Sequence, residues 1–297
     1  MGEQSLQGTI LKGVGSFYTV LGDDGTAYTC KARGKFRVDK VTPLPGDRVE
    51  FEISAEREGY MLAILPRKNA FTRPAVVNVD QLVIVMAASA PKPDLLLTDR
   101  LLLDCERRGV APILVLNKCD ERDETLLEGI CAQYAPTGYR LIVASAHEGD
   151  GLDTLKNALF DKVSCFTGQS AVGKTSLLNA LLPELALPVG DLSKKTERGR
   201  HTTRHAELVP AYGGAVADTP GFSLLEMSEL EPAELCLFYP EMKEHAGECY
   251  FTACLHITEP DCAVKNLLDT NELSRGRYER YCELTKELIE MRKHRYD

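Results

Sequence analysis

The spacing of apolar and polar positions changes character twice along the chain, and each change predicts a different architecture. Up to residue 66 the apolar side chains come in short, β-branched runs, Thr9-Ile10-Leu11 and Ser16-Phe17-Tyr18-Thr19-Val20-Leu21, punctuated by Gly13, Gly15, Gly22 and Gly25. Pro45-Gly46-Asp47 reads as a turn before Arg48-Val49-Glu50-Phe51-Glu52-Ile53, which alternates with the period of a half-buried strand. Short strands with turns at close intervals predict a small all-β barrel of the OB type over 1–66. From 67 to 225 apolar runs (81–87 and 111–116) and further predicted strands (139–144, 162–167 and 215–217) alternate with predicted helices at 95–108, stopped by Gly109, and at 175–182. That alternation builds a parallel sheet covered by helices, an α/β domain. From 226 to 297 the strands stop: a short helix is predicted at 231–238 and a terminal helix at 277–293. In the latter, Tyr281, Leu284, Leu288 and Met291 recur at 3-4-3 spacing, a stripe for core packing or domain docking. The chain is therefore read as multidomain, with a mainly helical C-terminal domain.

Composition narrows the class. With 44% hydrophobic and 27% charged residues among 297, disorder and fibrous classes are excluded. MGEQSLQGTI lacks the layout of a signal peptide and no apolar run approaches about 18 residues, so a cytosolic, cytoplasmic protein is expected, with no membrane partner. Ten cysteines in that setting are core residues or ligands rather than a disulfide scaffold. A net charge of −9 argues against a generic nucleic-acid binder, so any RNA contact must use local basic patches. One candidate is 31–40, where five positive charges and one negative surround Phe36; an RNA-facing segment and a solvated loop both remain open.

The candidate chemistry lies at the ends of the predicted strands. Gly168-Gln169-Ser170-Ala171-Val172-Gly173-Lys174-Thr175 has the form G-x-x-x-x-G-K-[ST] between a predicted strand and a predicted helix. In such a loop backbone N–H groups curl around phosphate oxygens, Lys174 neutralises the outer phosphates and Thr175 presents a hydroxyl to Mg²⁺. Ser176 follows in the helix, whose positive end faces the phosphates. Asn117-Lys118-Cys119-Asp120 follows a buried strand, where a parallel sheet offers its ligand crevice. Guanine shows two adjacent donors, N1–H and the N2 amino group, and an ionised Asp120 accepts both; adenine has a bare acceptor at N1 and is rejected. Asn117 is expected to tie this loop to the phosphate loop, the stem of Lys118 to cover the base, and Ser145-Ala146 to offer a backbone N–H to the guanine carbonyl.

Asp218-Thr219-Pro220-Gly221 supplies the third part: Asp218 suits Mg²⁺ held through water, and the Gly221 N–H suits sensing of the γ-phosphate. Between loop and strand, 198–205 is a polar stretch suited to a switch, in which either Thr202 or Thr203 is expected to reach Mg²⁺. Ras-like GTPases carry a water-orienting Gln just after the DxxG glycine, and here that position is Phe222. Hydrolysis is therefore expected to be slow in isolation, with His201, Lys174 and Thr203 as the candidate catalytic set or a partner ordering the switch. A surface role for His201 remains open.

The motif order, NKCD, SA, GQSAVGKT, RGRHTT, DTPG, is the small-GTPase set circularly permuted. With the β-rich N-terminus and a Cys/His-bearing C-terminus, the chain resembles the bacterial RsgA (YjeQ) family, small-subunit-dependent GTPases. The resemblance implies a central circularly permuted P-loop GTPase that binds the small (30S) ribosomal subunit late in assembly and leaves once GTP is hydrolysed to GDP. It also implies that the OB-fold and a C-terminal zinc domain contact ribosomal RNA. Cys249-x4-Cys254-x-His256-x5-Cys262 places three thiols and one imidazole within fourteen residues, a common structural Zn²⁺ set that agrees with that family at all four positions. A disulfide or simple burial are the alternatives, and Cys30, Cys105, Cys119, Cys131, Cys165, Cys236 and Cys282 read as core or incidental residues. No coiled-coil seam argues for a dimer, and a monomer is expected. A reading from another class stays open, an RNA-binding assembly factor in which nucleotide only gates affinity. A metabolic kinase would leave NKCD and DTPG unexplained.

Overall fold

The glycine-punctuated runs of the N-terminal region close on themselves. In the computed structural model, which describes residues 5–33, 36, 41–72, 74–185, 207–218 and 230–293, β1 (Leu6–Val14), β2 (Phe17–Gly22), β3 (Ala27–Ala32), β4 (Arg48–Ala55) and β5 (Glu58–Ile64) form a closed barrel ordered β1-β2-β3-β5-β4. β1 pairs antiparallel with both β2 and β4, which closes the ring, and β3 runs parallel to β5. The alternation legible in β4 is the barrel wall: Val49 and Phe51 point inward with Ile10, Val20, Cys30 and Met61, all fully buried. Asp47, in the turn before β4, is also fully buried, and Arg67 grips it through Nε to Oδ1 at 2.7 Å and Nη2 to Oδ2 at 2.8 Å. A bidentate pair of this kind keeps a buried carboxylate satisfied.

A short hairpin, β6 (Ala70–Thr72) with β7 (Ala75–Val77), leads into the alternating part of the chain. There follow β8 (Gln81–Ala87), α1 (Leu95–Arg108), β9 (Ala111–Asn117), α2 (Glu124–Tyr134), β10 (Arg140–Val143), α3 (Leu152–Leu159), β11 (Val163–Thr167), α4 (Lys174–Leu181), β12 (Val209–Ala211) and β13 (Gly214–Asp218). The six-stranded sheet has the order β10-β9-β8-β11-β13-β12. Pairs β9–β10 and β11–β13 are parallel, and β12 joins β13 antiparallel at one edge. Every residue of β8 is buried, as its unbroken apolar run requires of a central strand. Asp94 caps α1 by accepting from the Leu97 N–H, and Gly109 closes it in the left-handed conformation, bonding back to Cys105 and Glu106.

The chain divides into two compact units; the first contains the barrel with β11 and β13, the second β9, β10 and the C-terminal helices. In the second, a 3₁₀ helix (Pro232–Phe238) precedes α5 (Pro240–Lys243), α6 (Ala263–Asn266) and α7 (Arg275–Lys293). Tyr281, Leu284 and Leu288 of α7 are fully buried against Leu235, Tyr239, Met242 and Val264, as the stripe predicts. Met291 departs from it, 40% exposed. The buried face instead extends one turn the other way, to Arg277. This guanidinium is buried, bonded by Nη1 to Asp99 Oδ1 at 2.7 Å and by Nε to Glu241, and lies 4.5 Å from the Tyr239 ring centroid. Asp99 also accepts from Tyr134 Oη at 2.8 Å and Arg280 Nε at 2.5 Å. Charge pattern assigns such residues to the surface; burial is tolerated here because each charge is paired. Among the described residues, no helix is long and apolar enough to cross a membrane.

Candidate functional site

β9 and β10 lie parallel with Leu116 beside Val143, so the loops leaving their C-terminal ends, 117–120 and 145–146, emerge side by side. Asn117, only 1% exposed, stands between them and the phosphate loop. Its Nδ2 donates to the Val172 carbonyl at 2.8 Å, and its Oδ1 accepts from the Ala146 N–H at 3.2 Å. One side chain therefore ties three loops together. The fit leaves no slack: a Cβ at Gly173, φ +90°, would lie 2.3 Å from Asn117 Nδ2, and one at Gly168, φ +133°, would lie 2.1 Å from the Val85 carbonyl. Ala171, between them, also takes a left-handed backbone, φ +64°.

Asp120 is oriented by its neighbour loop. Ser145 Oγ donates to Asp120 Oδ1 at 2.5 Å and itself accepts from the His147 and Glu148 N–H groups at 3.2 and 3.0 Å. The Ser145 hydroxyl holds the Asp120 carboxyl below its ordinary pKa, so the group stands ready as an ionised acceptor. The Ala146 N–H, expected to meet guanine, already donates to Asn117, and the Ser145 N–H donates to the Asp150 carbonyl at 2.9 Å. Lys118, at φ +65°, sends Nζ to the Ala90 carbonyl at 2.7 Å. Gln169 Oε1 accepts from the Asp94 N–H at 3.2 Å. The segment between β8 and α1 thus borders the site, a neighbour that motif spacing does not reveal; its only signal in the sequence is its place after a buried strand at the same sheet edge.

On the phosphate side, Lys174 opens α4, with Thr175 and Ser176 in the first turn. Asp218 ends β13, whose register sets it beside Phe166 on β11, two residues before Gly168. Asp218 and the phosphate loop therefore leave adjacent parallel strands. His201, Thr202, Thr203, Gly221 and Phe222 lie outside the described residues.

The four cysteine and histidine residues also converge. Their ligand atoms all lie within 4.8 Å of one another. Cys249 Sγ is 3.8 Å from Cys262 Sγ and 3.4 Å from His256 Nδ1, which is 3.3 Å from Cys262 Sγ. A tetrahedral ion with Zn–S of about 2.3 Å and Zn–N of about 2.0–2.1 Å has S···S edges near ~3.8 Å and S···N edges near ~3.5 Å, so the donor set fits a four-coordinate metal. Burial pushes the Cys254 thiol up to about 12, raises Cys262 and lowers His256, favouring the neutral forms of these three groups. All ten cysteines are free, which removes the disulfide alternative from this structure. The frame is a carboxylate and two tyrosines. Glu259 accepts from the Leu255, Ile257 and Thr258 N–H groups at 2.7, 2.9 and 3.0 Å, and the Tyr278 and Tyr281 hydroxyls bond the His256 and Leu255 carbonyls at 2.9 and 3.0 Å.

With this geometry described, comparison with known proteins is decisive. The RsgA GTPase family matches residues 64–228, and the RsgA N-terminal domain matches residues 7–61. The chain belongs to the RsgA GTPase family. It is 43% identical over 293 residues to a Geobacillus sp. (strain WCH70) protein named small ribosomal subunit biogenesis GTPase RsgA, covering 98% of this chain and 99% of that one. A relative of the same name from Caldanaerobacter subterraneus subsp. tengcongensis is 42% identical over 294 residues, covering 99% of each chain. Among solved structures, YjeQ from Thermotoga maritima superposes with a TM-score of 0.84 at 34% identity, covering 96% of this chain and 99% of that one. YloQ, described as a circularly permuted GTPase, superposes with a TM-score of 0.82 at 36% identity, covering 97% of this chain and 96% of that one. Among the described residues, the loops at 117–120, 145–146 and 168–173 thus follow strands of one sheet, and Asn117 ties all three.

Proposed function

We propose that this GTPase acts in biogenesis of the small ribosomal subunit, binding that subunit and its RNA late in assembly and hydrolysing GTP to GDP and phosphate when docked. The observation that carries the nucleotide reading is the Asn117 tie, which brings the base-reading loop and the phosphate loop into one crevice. Asp120 takes the two donors of guanine. The long Ala146–Asn117 bond leaves that N–H open to competition from the guanine carbonyl. Backbone N–H groups of 168–173 cradle the phosphates, Lys174 neutralises their outer oxygens, and Ser176 lies in the helix turn facing them. Thr175, Asp218 and either Thr202 or Thr203 would hold Mg²⁺, which supplies charge neutralisation at the phosphates. In this reading His201, or the docked subunit, supplies what orients the attacking water, and Phe222 at the usual Gln position supports that need. Cys249, Cys254, His256 and Cys262 would hold a structural Zn²⁺ with no open position. The working division is 1–66, 67–225 and 226–297, in a cytoplasmic monomer.

The test is GTP turnover by the purified chain alone and with small subunits, large subunits or free RNA. Stimulation confined to small subunits supports the proposal. Equal stimulation by any RNA, or none, favours the second reading, in which nucleotide gates RNA affinity and hydrolysis only resets it; the same Phe222 motivates that reading.

A further inference from the structure

The barrel is fastened to the edge of the six-stranded sheet by a joint that neither the nucleotide crevice nor the metal cluster accounts for. It starts at an irregularity in β1. Ile10 pairs with Val20 and Lys12 with Thr19, so Leu11 is one residue too many for the β1–β2 ladder, a β-bulge. The in-and-out alternation of the strand breaks there: Ile10 fills the barrel interior, while Leu11, also buried, lies outside that cluster. The Leu11 carbonyl accepts from the Leu208 N–H at 2.9 Å, and the next side chain, Lys12, reaches Glu207 Oε1 at 2.8 Å. A bulge leaves its extra residue out of the ladder, which frees a backbone carbonyl of a closed barrel for a partner beyond it.

What the joint holds is a stiff hairpin. Leu208 immediately precedes β12, which pairs with β13 from Val209 opposite Val216 to Ala211 opposite Gly214. Tyr212 and Gly213, at φ +51° and +77°, form the turn; two left-handed residues there match the twist of adjacent strands and fix their register. The turn is pinned in its own right. The Tyr212 hydroxyl donates to the Leu181 carbonyl at the end of α4, and the Tyr212 carbonyl accepts from the Asp161 N–H at 2.9 Å. β13 ends at Asp218, and α4 begins at Lys174. Glu207 also stands four residues after Thr203 in the chain. The barrel, the hairpin and α4 belong to one compact unit. A displacement of β1 therefore has a short path, along bonded backbone, to residues read above as serving the phosphates and Mg²⁺.

We propose that Lys12 and Glu207 are positioning residues for GTP hydrolysis: with the Leu11–Leu208 bond they clamp β12 to the barrel, and so set the strand that ends in Asp218. The proposal rests on the reading above that Asp218 serves Mg²⁺, and it names the joint through which the barrel acts on that strand. Neither side chain touches nucleotide or metal; both act through the hairpin. An isolated ion pair at the surface contributes little, but this one closes a joint whose other half is a backbone hydrogen bond to the buried Leu208.

The experiment is a double-mutant cycle on the full-length chain: Lys12→Glu, Glu207→Lys, and the exchanged pair Lys12→Glu/Glu207→Lys. The two side chains are 44% and 55% exposed, so neither reversal empties a core position. Each single variant sets like charges against each other at the joint. It is expected to speed amide exchange at Leu208 about threefold and to lower kcat for GTP on small subunits about two- to fivefold, with KM for GTP and subunit affinity within about twofold of the parent. The exchanged pair is expected to restore both readouts. The two single variants shift the charge of the chain in opposite directions, so an effect through general attraction to RNA would differ in sign between them, whereas loss of the joint lowers kcat in both. Unchanged kcat in both single variants, changes of opposite sign, or a loss that the exchanged pair does not restore overturns the proposal. A loss confined to subunit affinity shows a docking role only, and also overturns it. If small subunits fail to stimulate the parent chain, the ribosomal reading falls, and the same cycle on kcat of the chain alone, with exchange at Leu208, still decides this one.

Discussion

The nucleotide crevice and the metal cluster are both made of short loops, yet they are held in opposite ways. In the crevice the loops start from strands whose register the sheet sets, and Asn117 joins them through ordinary hydrogen bonds that need no ligand. In the cluster the frame of Glu259, Tyr278 and Tyr281 holds the backbone, but the centre is three thiols and an imidazole, of which burial favours the neutral forms of Cys254, Cys262 and His256. These groups hold one another by long contacts to sulfur, and a cation would have to displace the thiol protons as it binds. The difference teaches where each region's stability resides. The crevice is preorganised by the protein, so damage there is expected to cost function before fold; the cluster would be completed by a metal, so damage there is expected to cost fold first.

The largest effect should come from breaking the cluster. Cys254→Ser is expected to release the bound metal and unfold the 249–262 segment, because metal binding in such centres supplies folding free energy of about 10 kcal/mol or more. Metal content and amide exchange of α7 read both consequences. A variant that lost its metal and kept full exchange protection would mean that the frame alone suffices, and the contrast with the crevice would collapse.

The opposite behaviour is expected of Asp120→Asn. GTP affinity should fall by about two orders of magnitude or more, since the guanine donors lose an ionised acceptor and meet an amide instead. Xanthosine triphosphate, with the altered pattern on its base, should become the preferred ligand. The melting temperature without nucleotide should stay within a few degrees of the parent. Unchanged preference for GTP would remove Asp120 from the base-reading role.

The regions of the molecule are also unequally legible in the sequence. β8 and α1 lie where apolar pattern predicts them, residue for residue, because an unbroken apolar run and an Asp94…Gly109 pair of caps leave little choice. The convergence of Cys249, Cys254, His256 and Cys262 is equally open to sequence, since all four lie within one short stretch. β3 and β5 are not: their buried members include Cys30 and Gly59, which carry little strand signal. α2 escapes because only Ile130 and Tyr134 of its eleven residues are buried, too few to draw a stripe. Hydropathy pattern cannot place Arg277, Asp99 and Glu241 in the interior, because it sends charge to the surface and only tertiary pairing brings it back. In the crevice, the Asn117 tie is legible from its motif, whereas the contacts of Lys118 and Gln169 are not. Their partners are the backbone groups of Ala90 and Asp94, which carry no signature of side-chain type.

Asn117→Ala tests whether the crevice is as preorganised as the comparison requires. It leaves the Val172 carbonyl and the Ala146 N–H without their partner, and should cost about 2–3 kcal/mol of stability as well as GTP affinity. Urea unfolding measures the first and nucleotide titration the second. A loss of affinity with no loss of stability would show that the loops are ordered by nucleotide rather than by Asn117, making the crevice resemble the metal cluster after all.

The smallest expected effect is the sharpest, because it isolates one hydrogen bond. The Ser145 hydroxyl favours the ionised form of Asp120 in the folded chain and draws its pKa below the ordinary 3.8. A carboxyl lowered on folding contributes stability above its unfolded value, and that contribution disappears as pH falls through the folded value. Ser145→Ala should therefore leave GTP binding near pH 7 almost unchanged while moving the Asp120 titration back up toward 3.8. Carbon NMR of the Asp120 carboxyl in both proteins would measure the midpoint directly. If the parent titrated at the ordinary value, or the variant failed to move, Ser145 would be a bystander, and the orientation of Asp120 would have to come from the backbone of its own loop.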